Sequence, residues 1–193
     1  AVVECTAVNE QGLYLAASGG SADAAVRNAD KVIVEVNETL PEGLIGMHDI
    51  FEIGLPPHAR IIPVTKPDDR VGTPYIPCPP DKIAAIVFTD RRDEPQKFKP
   101  YSEATGTIGK NVVKFLKQEI AAGRLPENPG PIQSGVGSVG NAVLSCLASS
   151  GFHGLSMYTE VMQDSALNLI EQGVFDFVST SSIALGEENR RRF

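Results

Sequence analysis

The chain has 193 residues, with 42% hydrophobic and 21% charged side chains, ordinary values for a folded globular protein with a sizeable core. A net charge of −7 argues against a nucleic-acid or anionic-membrane partner, and no apolar run approaches the ~20 residues of a membrane span. Three separated cysteines (Cys5, Cys78, Cys146) form no CxxC pair, which fits a reduced, cytoplasmic setting and gives no reason to expect a disulfide framework.

In chain order, residues 2–8 and 12–18 alternate around Asn9-Glu10-Gln11-Gly12 and predict a hairpin. Ser21 is placed to cap a short helix reaching about Ala29. Lys31 to Asn37 is β-branched and reads as a buried strand. Residues 38–80 are rich in Pro and Gly, a long excursion of the kind that forms functional loops or interfaces. Lys82 to Thr89 is a second strong strand, and the charged stretch Asp90–Lys97 is the best linker candidate. Ile108, Val112, Phe115, Leu116 and Ile120 fall at helical spacing between Ser102 and Ala122, with Gly123 as a C-terminal cap.

The remainder has an α/β rhythm, which implies parallel sheet with right-handed crossovers. A Gly-rich turn follows Ile132, and Asn141–Ser149 reads as a helix. Leu155–Thr159 reads as a strand ending at Glu160, Val161–Gln172 as a helix and Phe175–Ser179 as a strand. The tail 187–193 carries no visible last element.

The sharpest local signal is Gly135-Val136-Gly137-Ser138-Val139-Gly140, a GxGxxG pattern with an acidic residue, Glu160, 20 positions beyond it. Read as a dinucleotide fingerprint, the Gly135–Gly140 turn approaches a pyrophosphate and Glu160 holds a ribose hydroxyl of NAD in an oxidoreductase. The segment before the turn is a poor first strand, however, with Pro129, Gly130, Pro131, Gln133 and Ser134 around Ile132. The same turn can present backbone N–H groups to a developing oxyanion, and Glu160 on the same sheet rim can act as a nucleophile. A free glutamate is ionised at neutral pH, so such a nucleophile needs no general base.

Gln133-Ser134-Gly135-Val136-Gly137-Ser138-Val139-Gly140-Asn141-Ala142-Val143 resembles the QSGxGxxxNAV segment of the acetyl-CoA hydrolase/transferase family, the succinyl-CoA:acetate CoA-transferase type of class I CoA-transferases. Thr159-Glu160-Val161-Met162-Gln163-Asp164 is similar to that family's TEVxQD segment. Val34-Glu35-Val36-Asn37, Gly46-Met47-His48-Asp49-Ile50 and Gly123-Arg124-Leu125-Pro126 also resemble family segments, in the family's order. The chain departs from the pattern at Ser138-Val139-Gly140, where Asn, Ile and Ala or Pro are more usual; Gly140 is expected to weaken the helix start slightly.

The resemblance implies an α/β, parallel-sheet CoA-transferase-like fold made of pieces of two similar domains. Residues 1–95 would be the back of the N-terminal domain and 96–193 the front of the C-terminal domain carrying the nucleophile. It implies Glu160 as catalytic nucleophile, the Val136 N–H as one oxyanion donor, and Gly135 and Gly137 contacting the coenzyme. Coenzyme A would enter as the substrate thioester, with no permanently bound cofactor and no metal. Acyl-CoA and small carboxylates are the implied small partners. A homodimer and the enzyme's missing N- and C-terminal segments are the implied protein partners. A later GxGGxxDF-type segment, which supplies the family's second oxyanion amide, has no match here, so an inactive fragment or subunit stays open beside the oxidoreductase. Elsewhere His48 and Asp49 are expected to order the long loop or line an acyl pocket. Glu35 is expected to be structural, and Asp164 to occupy the first turn of a helix.

Overall fold

The computed structural model describes residues 1–92, 102–190 and 192. The linker candidate runs from Asp90 mostly into residues outside those described. The described residues group into two compact units, one ending at Arg92 but including the C-terminal Glu187–Arg190, the other spanning Ser102–Gly186.

In the first unit β1 (Val2–Asn9) and β2 (Gly12–Leu15) form the expected antiparallel hairpin. The Asn9 carboxamide oxygen accepts from the N–H groups of Gln11 and Gly12 and closes the turn. Helix α1 (Ala22–Asn28) starts after Ser21, but the Ser21 side chain makes no capping bond, which corrects its predicted role. Strand β3 (Val32–Asn37) pairs in parallel with β1 and with β4 (Ile83–Thr89), giving the order β2-β1-β3-β4. Alternate β3 residues Val32, Val34 and Val36 enter the core with Val3, Cys5, Leu13, Leu15, Val26 and Ile76. Strand β4 is apolar because of the residues it carries, not because it is covered: it is the sheet edge, and Phe88 is 66% exposed.

The 38–80 excursion is cross-linked by backbone and side-chain bonds. The Asp49 carboxylate accepts from the N–H groups of Val71 and Gly72 at 2.9 and 2.7 Å. Arg70 donates to the carbonyls of Gly46 and His48. His48 Nε2 donates to the Ala16 carbonyl at 2.8 Å, so His48 orders the loop, one of its two expected uses. Glu35 accepts from the Thr89 hydroxyl at 2.9 Å, consistent with its structural reading.

Cys5 is fully buried. Burial, then the charge of Glu4 and the neighbouring Cys78, push its thiol from 9.0 to about 12. The unfolded chain therefore holds fewer protons than the native one above pH 9. The stability tied to the protonated thiol is complete below pH 9 and is lost as pH rises toward 12. Urea titrations between pH 8 and 11 are expected to show a steeper alkaline loss for the wild type than for Cys5→Ala, by up to about 1.4 kcal/mol per pH unit.

In the second unit α2 (Glu103–Ala121) begins in a capping box between Ser102 and Thr105. It ends at Gly123 with φ of 68°, the predicted left-handed cap. The helix packs on α3 (Ser138–Ala148) through Gly106 and Gly109, while Ile108 and Phe115 of the expected apolar stripe stay exposed. A Cβ at Gly109 would lie 2.7 Å from the Ala142 carbonyl oxygen, so the two helices touch by backbone there. Gly109→Val is expected to cost about 1–3 kcal/mol in urea unfolding, an overpacking penalty.

Strand β5 (Leu155–Gln163) pairs in parallel with β6 (Phe175–Ala184), and α4 (Asp164–Glu171) connects them. Both strands run longer than the sequence predicts. Val161, Met162 and Gln163 stay paired with Ser182, Ile183 and Ala184, so the helix starts only at Asp164. Leu144, Leu147, Leu155, Met157, Leu169 and Phe175 form the core of this unit. The tail, expected to lack an element, forms a short helix α5 (Glu187–Arg190).

Candidate functional site

Ile132 forms a one-residue parallel bridge to β5, receiving no further strand around it. Its N–H donates to the Ser156 carbonyl at 2.9 Å and its carbonyl accepts from the Tyr158 N–H at 3.0 Å. The poor strand expected before the turn is thus reduced to a single ladder step, which puts the Gly-rich turn beside Thr159 and Glu160. The Thr159 hydroxyl donates to the Ser134 carbonyl at 3.0 Å and accepts from the Ser134 N–H at 3.4 Å.

The turn then opens onto α3. Gly137 is the residue before the helix and has φ of 136°, a conformation that L side chains rarely adopt. No side chain caps this helix end, so its first N–H groups keep their donor capacity. Among the described residues nothing accepts from the Val136 N–H, and Val136 is 49% exposed. Gly140 also meets a close approach: a Cβ there would lie 2.2 Å from the Gly135 carbonyl oxygen and 2.8 Å from Ser134 Oγ. It therefore lets the turn fold back over the helix start, a close approach that propensity alone does not reveal.

An open cavity of about 570 Å³ is lined by the turn from Gln133 to Gly140 together with Ile132, Val143 and Leu144. Gly135, Val136 and Gly137 are brought together on this lining; Glu160 is not part of it. Glu160 lies instead on β5 next to the turn's anchor, inside the strand rather than at its end, because pairing with β6 continues past it. The register pairs Thr159 with Thr180 and Val161 with Ser182, and between them the Glu160 carbonyl accepts from the Ser181 hydroxyl at 2.8 Å, while the single Thr180 hydroxyl proton is shared between the Glu160 and Ser182 carbonyls at 2.9 and 2.8 Å. The Glu160 side chain is exposed, and among the described residues no hydrogen bond or ion pair holds its carboxylate. The arrangement is an exposed carboxylate on β5, the strand to which the Gly-rich turn is anchored, and among the described residues the turn's Val136 N–H has no acceptor.

The sequence gives Thr159 a place in the TEVxQD-like segment but no role, and it singles out neither Thr180 nor Ser181, whose signal is the hydroxyl run Ser179-Thr180-Ser181-Ser182. Asp164 stands in the first turn of α4 as expected, and its carboxylate also accepts from the Gly186 N–H at 3.0 Å. Cys146 lies half-buried at the α2–α3 contact, its Sγ 3.8 Å from the Gly106 carbonyl.

No protein-family model matches the chain. It is 45% identical over 189 residues to the succinyl-CoA:acetate CoA-transferase of Clostridium kluyveri, an alignment covering 97% of this chain and 35% of that protein. It is 40% identical over 194 residues to the acetyl-CoA hydrolase of Yarrowia lipolytica, covering 100% of this chain and 37% of that protein. The 4-hydroxybutyrate CoA-transferase of Porphyromonas gingivalis shares the fold at a TM-score of 0.60 and 23% identity, over 99% of this chain and 41% of that one. RipA of Yersinia pestis does so at a TM-score of 0.62 and 17% identity, over 98% and 36%. The chain spans about a third of the length of the curated relatives it matches. Along essentially its whole length the chain is similar in sequence to a part of these succinyl-CoA:acetate CoA-transferase and acetyl-CoA hydrolase relatives, and its α/β fold is CoA-transferase-like.

Proposed function

We propose that the protein carrying this chain moves coenzyme A between an acyl-CoA and a carboxylate, with Glu160 as nucleophile and the Val136 N–H as an oxyanion donor. What supports this reading is the exposed Glu160 carboxylate on β5, beside the anchored turn; among the described residues nothing pairs with that carboxylate or accepts from the Val136 N–H.

A Glu160 carboxylate oxygen attacks the thioester carbonyl; the C–S bond breaks and coenzyme A leaves as thiolate, giving an acyl-glutamyl anhydride. The thiolate attacks the glutamyl carbonyl, the acyl group departs as carboxylate, and Glu160 becomes a glutamyl-CoA thioester. A second carboxylate then runs the two steps in reverse. Each addition builds negative charge on a carbonyl oxygen, which a pre-aimed amide stabilises. Every intermediate keeps an activated acyl bond; water reaching one would give acyl-CoA hydrolysis, the activity named for several relatives. Gly135 and Gly137 leave open space beside their Cα atoms, which suits close approach of the thioester. The second oxyanion donor and the contacts to the coenzyme's phosphates fall to parts of the relatives' length that this chain does not span. A homodimer in the cytoplasm completes the reading; among the described residues no helix is long and apolar enough to cross a membrane.

The test is a transfer assay with succinyl-CoA and acetate, paired with thermal shifts for acetyl-CoA and for NAD. Formation of acetyl-CoA and a shift with the thioester are expected. A shift with NAD alone and no transfer would overturn the reading in favour of the dinucleotide site.

A further inference from the structure

Ile132 takes one full step of a parallel ladder with β5, its N–H to Ser156 and its carbonyl from Tyr158. Two residues on, both backbone groups of Ser134 go instead to a single side-chain atom, the Thr159 hydroxyl oxygen. Thr159 is 7% exposed and Ser134 9%, so water has little access to replace these bonds. Ser134 stands two residues before Val136, and Thr159 stands immediately before Glu160. One buried hydroxyl thus ties the segment that carries the amide to the strand that carries the carboxylate, across 25 residues of sequence. The Glu160 backbone is held independently from the other side by the Ser181 hydroxyl.

We infer that Thr159 is a positioning residue, whose hydroxyl sets the height of the Gly135–Gly137 turn relative to Glu160 and so aims the Val136 amide at the oxyanion. The inference rests on the function proposed above. Beyond Ser134 the turn runs through two glycines, Gly135 and Gly137, into a helix start without a side-chain cap among the described residues. Thr159→Val keeps the shape but leaves the Ser134 N–H and carbonyl without partners in a buried place, and the turn must move to find others. A displacement of about 1 Å at a reacting centre costs on the order of 10²-fold in rate. A shifted amide weakens the transition state more than substrate binding, so the loss falls on kcat.

The experiment measures kcat and KM for CoA transfer in the protein carrying this chain, as wild type, Thr159→Val and Thr159→Ser, after mass spectrometry has located the wild-type adduct on Glu160. The expected result is a kcat loss on the order of 10²-fold for Val, KM within about threefold, and Ser within about threefold of wild type in kcat. Should Val not fold, Ala replaces it in the same comparison with Ser. Wild-type kcat in Val or Ala, an equal loss in Ser, or a loss confined to KM would overturn the positioning role while leaving the Glu160 chemistry standing. Absence of any wild-type adduct on Glu160 would overturn the proposed function, and this inference with it.

Discussion

Glu160→Ala is expected to lower CoA-transfer turnover by at least about 10⁴-fold, the scale on which removal of a covalent nucleophile acts. Glu160→Gln is expected to do the same, because an amide of nearly identical shape cannot supply the attacking oxygen. Glu160→Asp keeps the charge but withdraws it by one methylene, and a loss on the order of 10²-fold is expected. Stability should barely change in any of the three. The side chain is exposed and makes no bond among the described residues, and such surface substitutions usually fall within about 0.5 kcal/mol. Steady-state kinetics beside urea unfolding separates the two effects. A Glu160→Ala protein that folds normally and retains more than a tenth of wild-type turnover would remove Glu160 from the chemistry.

The second large effect is expected at a backbone group. Val136→Pro deletes the one N–H that the account aims at the oxyanion, and a loss of about 10²–10³-fold in kcat is expected. Val136→Ala keeps that N–H and changes only a half-exposed side chain, so its kcat should stay within a few-fold of wild type. The contrast between the two distinguishes a backbone donor from a side-chain contact. Equal losses in both would mean that the Val136 side chain matters and that the oxyanion donor lies elsewhere.

Much of the architecture is legible in local chemistry. The Asn9–Gly12 turn, the β-branched run of β3, the Ser102 start and Gly123 end of α2, and the alternation that makes β5 and β6 parallel all follow from short-range rules. The misses come from tertiary pairing. Nothing around Glu160 says that Val161–Gln163 will keep a strand partner, so the sequence reading ends β5 at Glu160, too early, and starts α4 too early. The helical stripe of α2 suggests burial of Ile108 and Phe115, whereas two glycines allow a backbone-close contact with α3 on a neighbouring face.

At the site, the GxGxxG spacing draws attention to Gly135, Gly137 and Glu160, and the resemblance to the QSGxGxxxNAV and TEVxQD segments implies the roles of Val136 and Glu160. Thr159 belongs to the TEVxQD-like segment, but its role is not legible there, since a threonine in a strand is ordinary until its hydroxyl is seen to take over a ladder position. Gly140 carries a requirement hidden in the same way. Helix propensity counts it as a small weakness, while the proximity of the Gly135 carbonyl makes its missing side chain a requirement of this turn.

The most direct test of the central claim is intact-mass spectrometry of the protein carrying this chain before and after addition of an acyl-CoA, with peptide mapping of any adduct. A CoA-sized mass increase is expected on the peptide holding Glu160, absent from Glu160→Ala and reversed by an added carboxylate. Transfer activity with no adduct at Glu160, or with an adduct on a different residue, would contradict it.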